Sequence, residues 1–362
     1  MPCVSPVSQE RGNLYPKLTI HLNKIAVNVR RMVQLCGAHG IEITGVTKVF
    51  RGDPQIARVY LENGISRLGD SRVANLKKLD GMPCERWLLR MPQLWEADDA
   101  VRHSDVSLNS ELAALQALEQ ACRRQSRRHK VVLMVDLGDL REGWLDPSEL
   151  SAAADYVRAS SHLDLYGIGT NLTCLSFVQP DTEKLTRLLD LSKRLGGGLY
   201  VSGGNSATLD LMLRGGIPAG VNLLRLGESL LFGRERACYR YLEGTYNDAF
   251  LLQAQVIESK EKPSMPWGKI GKDSYGNRPV FTDKGVRRRV ICALGRQDCD
   301  TETMWPVDPG ISIIGASSDH LVLDVTDSAR DYPVGAVVAF RLGYFSLMRA
   351  YTSDYVAREY RP

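Results

Sequence analysis

Between residues 43 and 226 the chain repeats one unit, a short apolar run rich in β-branched residues followed by a stretch with helical spacing. The apolar runs fall at 43–49, 65–69, 87–91, 106–108, 130–136, 163–168, 198–202 and 221–226, and helical spacing marks 54–63, 71–79, 148–160, 180–195 and 206–214. A strand that feeds a crossover helix returns parallel to itself. Eight such strands, most followed by a helix, therefore predict an α/β fold of the (β/α)8 TIM-barrel type.

The flanks differ from this cadence. Residues 1–15 carry Pro2, Ser5, Pro6, Ser8 and Gly12 and read as a flexible lead-in. Leu18, Ile20 and Leu22 alternate with polar neighbours as a strand does, and 24–39 has helical spacing up to Gly40. After Gly233 the helical periods fade, and runs at 254–257, 289–294, 320–325 and 337–340 lie between Gly, Pro and Asp turns. The expected organisation is a barrel over 16–233 and a mostly β C-terminal domain over 234–362, with strand 17–22 free to pack against the latter.

At 362 residues and 44% hydrophobic content, the chain is long enough to bury a core in each domain. A net charge of +4 is small, and the basic clusters at 123–130 and 287–289 read as solvated helix or strand ends, so no nucleic-acid partner is expected. The eight cysteines are scattered with no C-x-x-C pair, which points to free thiols in a reducing cytosol and to no metal site. No signal-like N-terminus and no run of about 18 apolar residues is present, so the protein is expected to be cytoplasmic, without a membrane partner.

In such a barrel the loops after the strands carry the chemistry. Lys48 ends the first apolar run, where a strand would hold its amine away from water. The other loop positions are 70–72, Asn109, 136–141, Thr170, Asn171, 203–206 and 225–228. The glycine-rich turns 203–206 and 225–228 offer backbone N–H groups to a phosphate, with the Ser206 hydroxyl as a further donor. An amine at one side of the mouth and a phosphate cradle at the other suit pyridoxal 5'-phosphate, whose pyridine nitrogen would face Arg225. A guanidinium keeps its proton, so that nitrogen stays largely unprotonated, which favours limited proton exchange at Cα.

Taken together, the motifs are similar to those of the alanine racemase-like fold, the fold type III enzymes of pyridoxal phosphate. Gly45-Val-Thr-Lys48, Arg225-Leu-Gly-Glu-Ser229, Gly295-Arg-Gln-Asp298 and Gly315-Ala-Ser-Ser-Asp-His320 resemble the ornithine racemase branch. The resemblance implies that Lys48 carries the cofactor's aldehyde carbon, Arg225 meets its pyridine nitrogen, and Ser206 with the Gly227 turn holds its phosphate. Asn171, Asn205 and Glu228 join the cofactor-binding set, as does Tyr355, with Tyr351 a near rival. Arg141 would bind the substrate carboxylate. Tyr275, in Ser274-Tyr275-Gly276, would be the second base, lent by the neighbouring subunit of a homodimer whose active sites are shared. Two bases on opposite faces of one Cα are what racemisation of a free amino acid needs.

Departures from the alanine racemase pattern bear on substrate and support. The tyrosine expected shortly after the lysine is absent, Asn171 replaces a histidine, and Met134 stands where some members have a modified lysine beneath the arginine. Asp136 or Asp139 would then have to orient Arg141. Arg296 and Asp319 replace or match residues at the substrate entrance, where a carboxylate could pair with a distal ammonium, and either could equally form a structural ion pair. The expected activity is racemisation of ornithine or another basic or longer amino acid. A fold type III diamino-acid decarboxylase is the alternative, though such enzymes place a glutamate where Arg225 stands. A non-catalytic pyridoxal phosphate homeostasis protein is another, though it lacks the β domain.

Overall fold

The computed structural model describes residues 14–272, 276 and 278–362. The chain divides into two compact units, one spanning His21–Ala249 and the other joining the segment that ends at Ile20 to Phe250–Arg361.

Strand β1 (Lys17–His21) and helix α1 (Leu22–Gly37) come first. Strands and helices then alternate: β2 (Glu42–Val46), α2 (Pro54–Glu62), β3 (Arg67–Asp70), α3 (Val73–Leu76), β4 (Glu85–Leu88), α4 (Ala97–His103), β5 (Val106–Asn109), α5 (Leu112–Gln125) and β6 (His129–Val135). The series continues with α6 (Pro147–Ala159), β7 (Leu163–Thr170), α7 (Thr182–Arg194), β8 (Tyr200–Ser202), α8 (Thr208–Leu213), β9 (Leu223–Leu226) and α9 (Glu228–Phe232). From β2 to β9 each strand pairs in parallel with the next, and β9 returns to β2 to close the barrel.

Helix starts are written in local chemistry. Asp53, Asp146 and Asp181 each cap a helix by accepting a backbone N–H, and Pro54 and Pro147 fill first-turn positions where no N–H is needed. The buried residues Ala114, Leu115, Leu118, Ala121 and Cys122 recur at helical spacing along α5, a signal that a reading led by strands passes over. Inside the barrel Trp87, Val106, Leu108, Val132, Met134 and Leu223 pack into one cluster. Each such side chain contributes roughly 2 kcal/mol by leaving water.

In the second unit the elements are β10 (Phe250–Pro263), β11 (Val286–Ala293), β12 (Met304–Pro306), β13 (Ser312–Ala316), β14 (His320–Asp324), β15 (Val337–Leu342), α10 (Tyr344–Thr352) and β16 (Ala357–Arg361). The sheet runs β12-β15-β10-β11-β14-β13, with β1 pairing both β10 and β16. Strand β1 thus goes with the β sheet, Lys17 opposite Gln253 and Ile20 opposite Phe250.

The boundary between units lies later than residue 233. Residues 234–249 stay with the barrel because Asn28 of α1 clamps Tyr246 both ways, donating to its carbonyl at 2.8 Å and accepting from its N–H at 2.7 Å. The basic run at 287–289 lies in β11, where Arg287 pairs with Asp324 and Arg288 with Asp331, while Arg289 donates to the Ser264 carbonyl. No helix among the described residues is long and apolar enough to cross a membrane.

Candidate active site

The strand bearing Lys48 ends earlier than its apolar run suggests. Ladder pairing stops at Val46, and Lys48 opens a single 3-10 turn, Lys48–Phe50, that leaves its side chain exposed rather than shielded. The turn is forced from both sides. The Thr47 hydroxyl donates to buried Asp70 at 2.7 Å, and the left-handed backbone of Arg51 (φ 54) and Gly52 (φ 63) reverses the chain. Burial pushes the Asp70 carboxyl up, while hydrogen bonds from Thr47, Asn75 and the Arg72 amide, and the charge of Lys48, oppose it. Gly45 lets α2 approach the strand, since a Cβ there would stand 2.7 Å from a ring carbon of buried Tyr60.

Arg225 is the penultimate residue of β9, next to β2 in the closed barrel, with Thr44 opposite Arg225 and Gly45 opposite Leu226. The residue is 4% exposed, and its guanidinium donates to the Ser202 hydroxyl, to the Thr170 carbonyl at 2.6 Å and to the Asn171 side-chain oxygen at 3.3 Å. Burial pulls its pKa down to about 10, so it stays charged at neutral pH. Gly169 makes room, because a Cβ there would lie 3.2 Å from the Met134 sulfur and 3.5 Å from the Arg225 Nη1.

Arg141 is oriented by neither aspartate expected to do so. Asp136 accepts the amides of Gly138 and Leu140, and Asp139 accepts those of Cys174, Leu175 and Val178, so both are spent on loop backbone. Glu142, a residue that sequence reasoning missed, takes Arg141 instead, through both Nε and Nη2. The same carboxylate accepts from Asn171 Nδ2 at 2.8 Å. Burial would push Glu142 up, but the bonds from Arg141 and Asn171 and the charges of Arg141 and Arg225 outweigh it and hold the carboxyl below its usual range.

In the loops after β8 and β9, beside the strand that leads to Lys48 rather than across the mouth from it, donors converge on Ser206. Its hydroxyl meets the Gly227 amide at 3.4 Å, the Ser229 amide at 3.3 Å and the Ser229 hydroxyl at 3.1 Å. Both amides turn inwards on the Ser206 oxygen, and turned outwards the same N–H and O–H donors would suit an anion. A Cβ at Gly227 would come within 3.1 Å of Val46 Cβ, so the cradle turn packs directly on the strand that leads to Lys48.

Two residues of the expected set have other work. The buried Glu228 carboxylate pairs with Arg234 at 2.6 Å and Arg236 at 3.5 Å, which leaves its backbone as the part able to serve the cradle. Asn205 ties the loop after β7, donating to the Leu172 carbonyl at 2.9 Å and accepting the Ala207 amide.

The remaining expected residues belong to the second unit. Tyr355 is 69% exposed, whereas Tyr351 is fully buried, with Arg358 over its ring and its hydroxyl 3.4 Å from that of Tyr360. Arg296 and Asp319 take separate partners rather than each other: Arg296 donates to the Ala316 carbonyl, and Asp319 accepts from Gln297 and Ser318. Their loops interlock, since a Cβ at Gly295 would fall 1.9 Å from the Ser318 oxygen. Tyr275 lies outside the described residues.

With this geometry in view, comparison with known proteins is decisive. Residues 20–235 match the alanine racemase N-terminal domain. Over 351 residues the chain is 41% identical to the ornithine racemase of Acetoanaerobium sticklandii, covering 96% of this chain and 99% of that one. The chain belongs to the alanine racemase family. A second relative, the lysine racemase of Thermotoga maritima, is 40% identical over 357 residues, again covering 96% of this chain and 99% of that one. The alanine racemase from D-cycloserine-producing Streptomyces lavendulae superposes with a TM-score of 0.72 at 17% identity, covering 96% and 97% of the two chains. The Bartonella henselae alanine racemase, solved with covalently bound pyridoxal phosphate, gives 0.69 at 17%, covering 95% and 99%. Those two likenesses speak to the fold, a parallel barrel with an antiparallel sheet, and the chain is an enzyme of the racemase type.

Proposed function

We propose that this protein is a pyridoxal phosphate-dependent racemase of a basic amino acid, ornithine before lysine, working in the cytosol as a homodimer on the free amino acid. The observation that carries the reading is barrel closure. It sets β2, which leads to Lys48, beside β9, which carries Arg225, with the Ser206, Gly227 and Ser229 donors at the same seam. Those groups fit the cofactor by type: an exposed amine for its aldehyde, a charged guanidinium for its pyridine nitrogen, and clustered N–H and O–H donors for its phosphate.

When bound, pyridoxal phosphate supplies the electron-withdrawing ring that acidifies the substrate's Cα–H. The protein's own groups then divide the labour. Arg141 receives the carboxylate, leaving Lys48 to move a proton at one face of Cα and Tyr275 of the partner subunit to move one at the other. Arg225 holds the pyridine nitrogen by donating to it, which tempers the ring's pull and restrains side reactions. The names of the two relatives, an ornithine and a lysine racemase, support a diamino acid as substrate.

The test is direct. The purified protein should be yellow and should racemise ornithine and lysine when the products are resolved by chiral chromatography, and Lys48→Ala should fold but stay colourless and inactive. A folded wild-type protein that takes up no cofactor would overturn the reading, as would one that racemises alanine and neither diamino acid.

A further inference from the structure

We propose that Glu142 is the positioning residue of the site, one carboxylate that fixes Arg141 directly and Arg225 through Asn171. The inference rests on the racemase reading and adds to it a group that sets how both arginines are held.

The loop that presents Glu142 has little freedom. Trp144 donates to the Met134 carbonyl at 2.9 Å and accepts from the Asp136 amide at 3.2 Å, so the segment between them is a closed excursion at the end of β6. A Cβ at Gly143 would lie 2.2 Å from the Asp136 nitrogen, so only glycine fits there, and it adopts φ +129. Glu142 occupies the Nε and Nη2 edge of Arg141, which leaves the Nη1 edge to face a substrate carboxylate. A guanidinium held along one edge presents the other at a fixed angle.

Arg225 needs the same carboxylate for a different reason. Its direct partners, the Ser202 hydroxyl, the Thr170 carbonyl and the Asn171 amide oxygen, are all neutral. A buried cation with only neutral partners is costly. Asn171 resolves this by facing both ways, its Nδ2 donating to Glu142 at 2.8 Å and its Oδ1 accepting from Arg225 at 3.3 Å. The amide passes the carboxylate's polarisation on and fixes its own orientation in doing so.

The relay makes Glu142→Gln and Asn171→Ala act on shared observables. In the cofactor-loaded enzyme, Glu142→Gln should raise KM for the amino acid about tenfold, because Arg141 loses a charge-assisted anchor. It should also move the visible absorption band of the bound cofactor, because Arg225 shifts. Asn171→Ala should move the band as well, with a smaller rise in KM than Glu142→Gln because Glu142 keeps its direct bonds to Arg141, and the double variant should move the band no further than the larger single change. Band shifts that simply add, or a Glu142→Gln enzyme with wild-type KM and band, would overturn the relay. A second measurement needs no cofactor: in urea unfolding of the full chain, Glu142→Gln should cost more stability with Arg225 present than in an Arg225→Met background. Equal costs in the two backgrounds would overturn the link, whereas a wild-type protein that never binds cofactor would count against the racemase reading alone.

Discussion

Ser206 shows how much one hydroxyl can organise. Two backbone amides and the Ser229 hydroxyl converge on its oxygen, so removing that oxygen strips a donor from the cradle and leaves the amides without their partner. Ser206→Ala should weaken cofactor affinity about tenfold, the usual worth of a hydrogen bond to a charged group, with the barrel still folded. Equilibrium dialysis against pyridoxal phosphate checks this, and unchanged affinity would remove Ser206 from the cradle. The type of residue at this position was legible in the sequence as a glycine-rich turn followed by a serine. The partner of Arg141 was not. Neighbouring side chains in extended backbone face opposite ways, so Glu142 gives no sign of folding back on Arg141. It does so because Leu140 (φ 55) and Gly143 (φ 129) bend the loop, a conformation that sequence spacing does not announce.

At the scale of elements, the apolar runs located every barrel strand, because parallel strands buried on both faces read as near-continuous hydrophobic stretches. Their ends were less legible. The first run continues through Val49, yet pairing stops at Val46 once Thr47 turns to Asp70, a bond between residues distant in sequence. Strand β6 begins with His129, fully buried, its Nε2 2.9 Å from the Ser107 hydroxyl. Burial lowers its pKa from 6.5 to about 4. The unfolded chain therefore takes up a proton that the folded one refuses, and stability present above pH 6.5 is lost as pH falls towards about 4. The loss amounts to about 3 kcal/mol for this group. His129→Gln should flatten that decline, as measured by urea midpoints across the interval, and an unchanged slope would place the acid sensitivity elsewhere.

For the whole molecule, the proposed dimer makes a prediction that no single chain can. If each site takes Lys48 from one subunit and Tyr275 from the other, a hybrid of Lys48→Ala and Tyr275→Phe chains contains one intact site. Equal mixtures of the two inactive variants, unfolded and refolded together, should regain about a quarter of wild-type activity per chain by random pairing. No recovery would argue that both groups act within one chain. The division of the chain into two units was legible only to within a segment, because the change in periodicity at Gly233 precedes the last residues that Asn28 keeps with the barrel.

The seam between β2 and β9, where Gly227 rests against Val46, has a bearing on biogenesis. Lys48 follows the first barrel stave synthesised and Arg225 lies in the last, so a growing chain holds only one part of the proposed cofactor site until the ring has shut. On the proposed function, colour acquired during refolding would be a clock for the final joining of the staves, and a chain arrested short of β9 would lack the Arg225 part of the site.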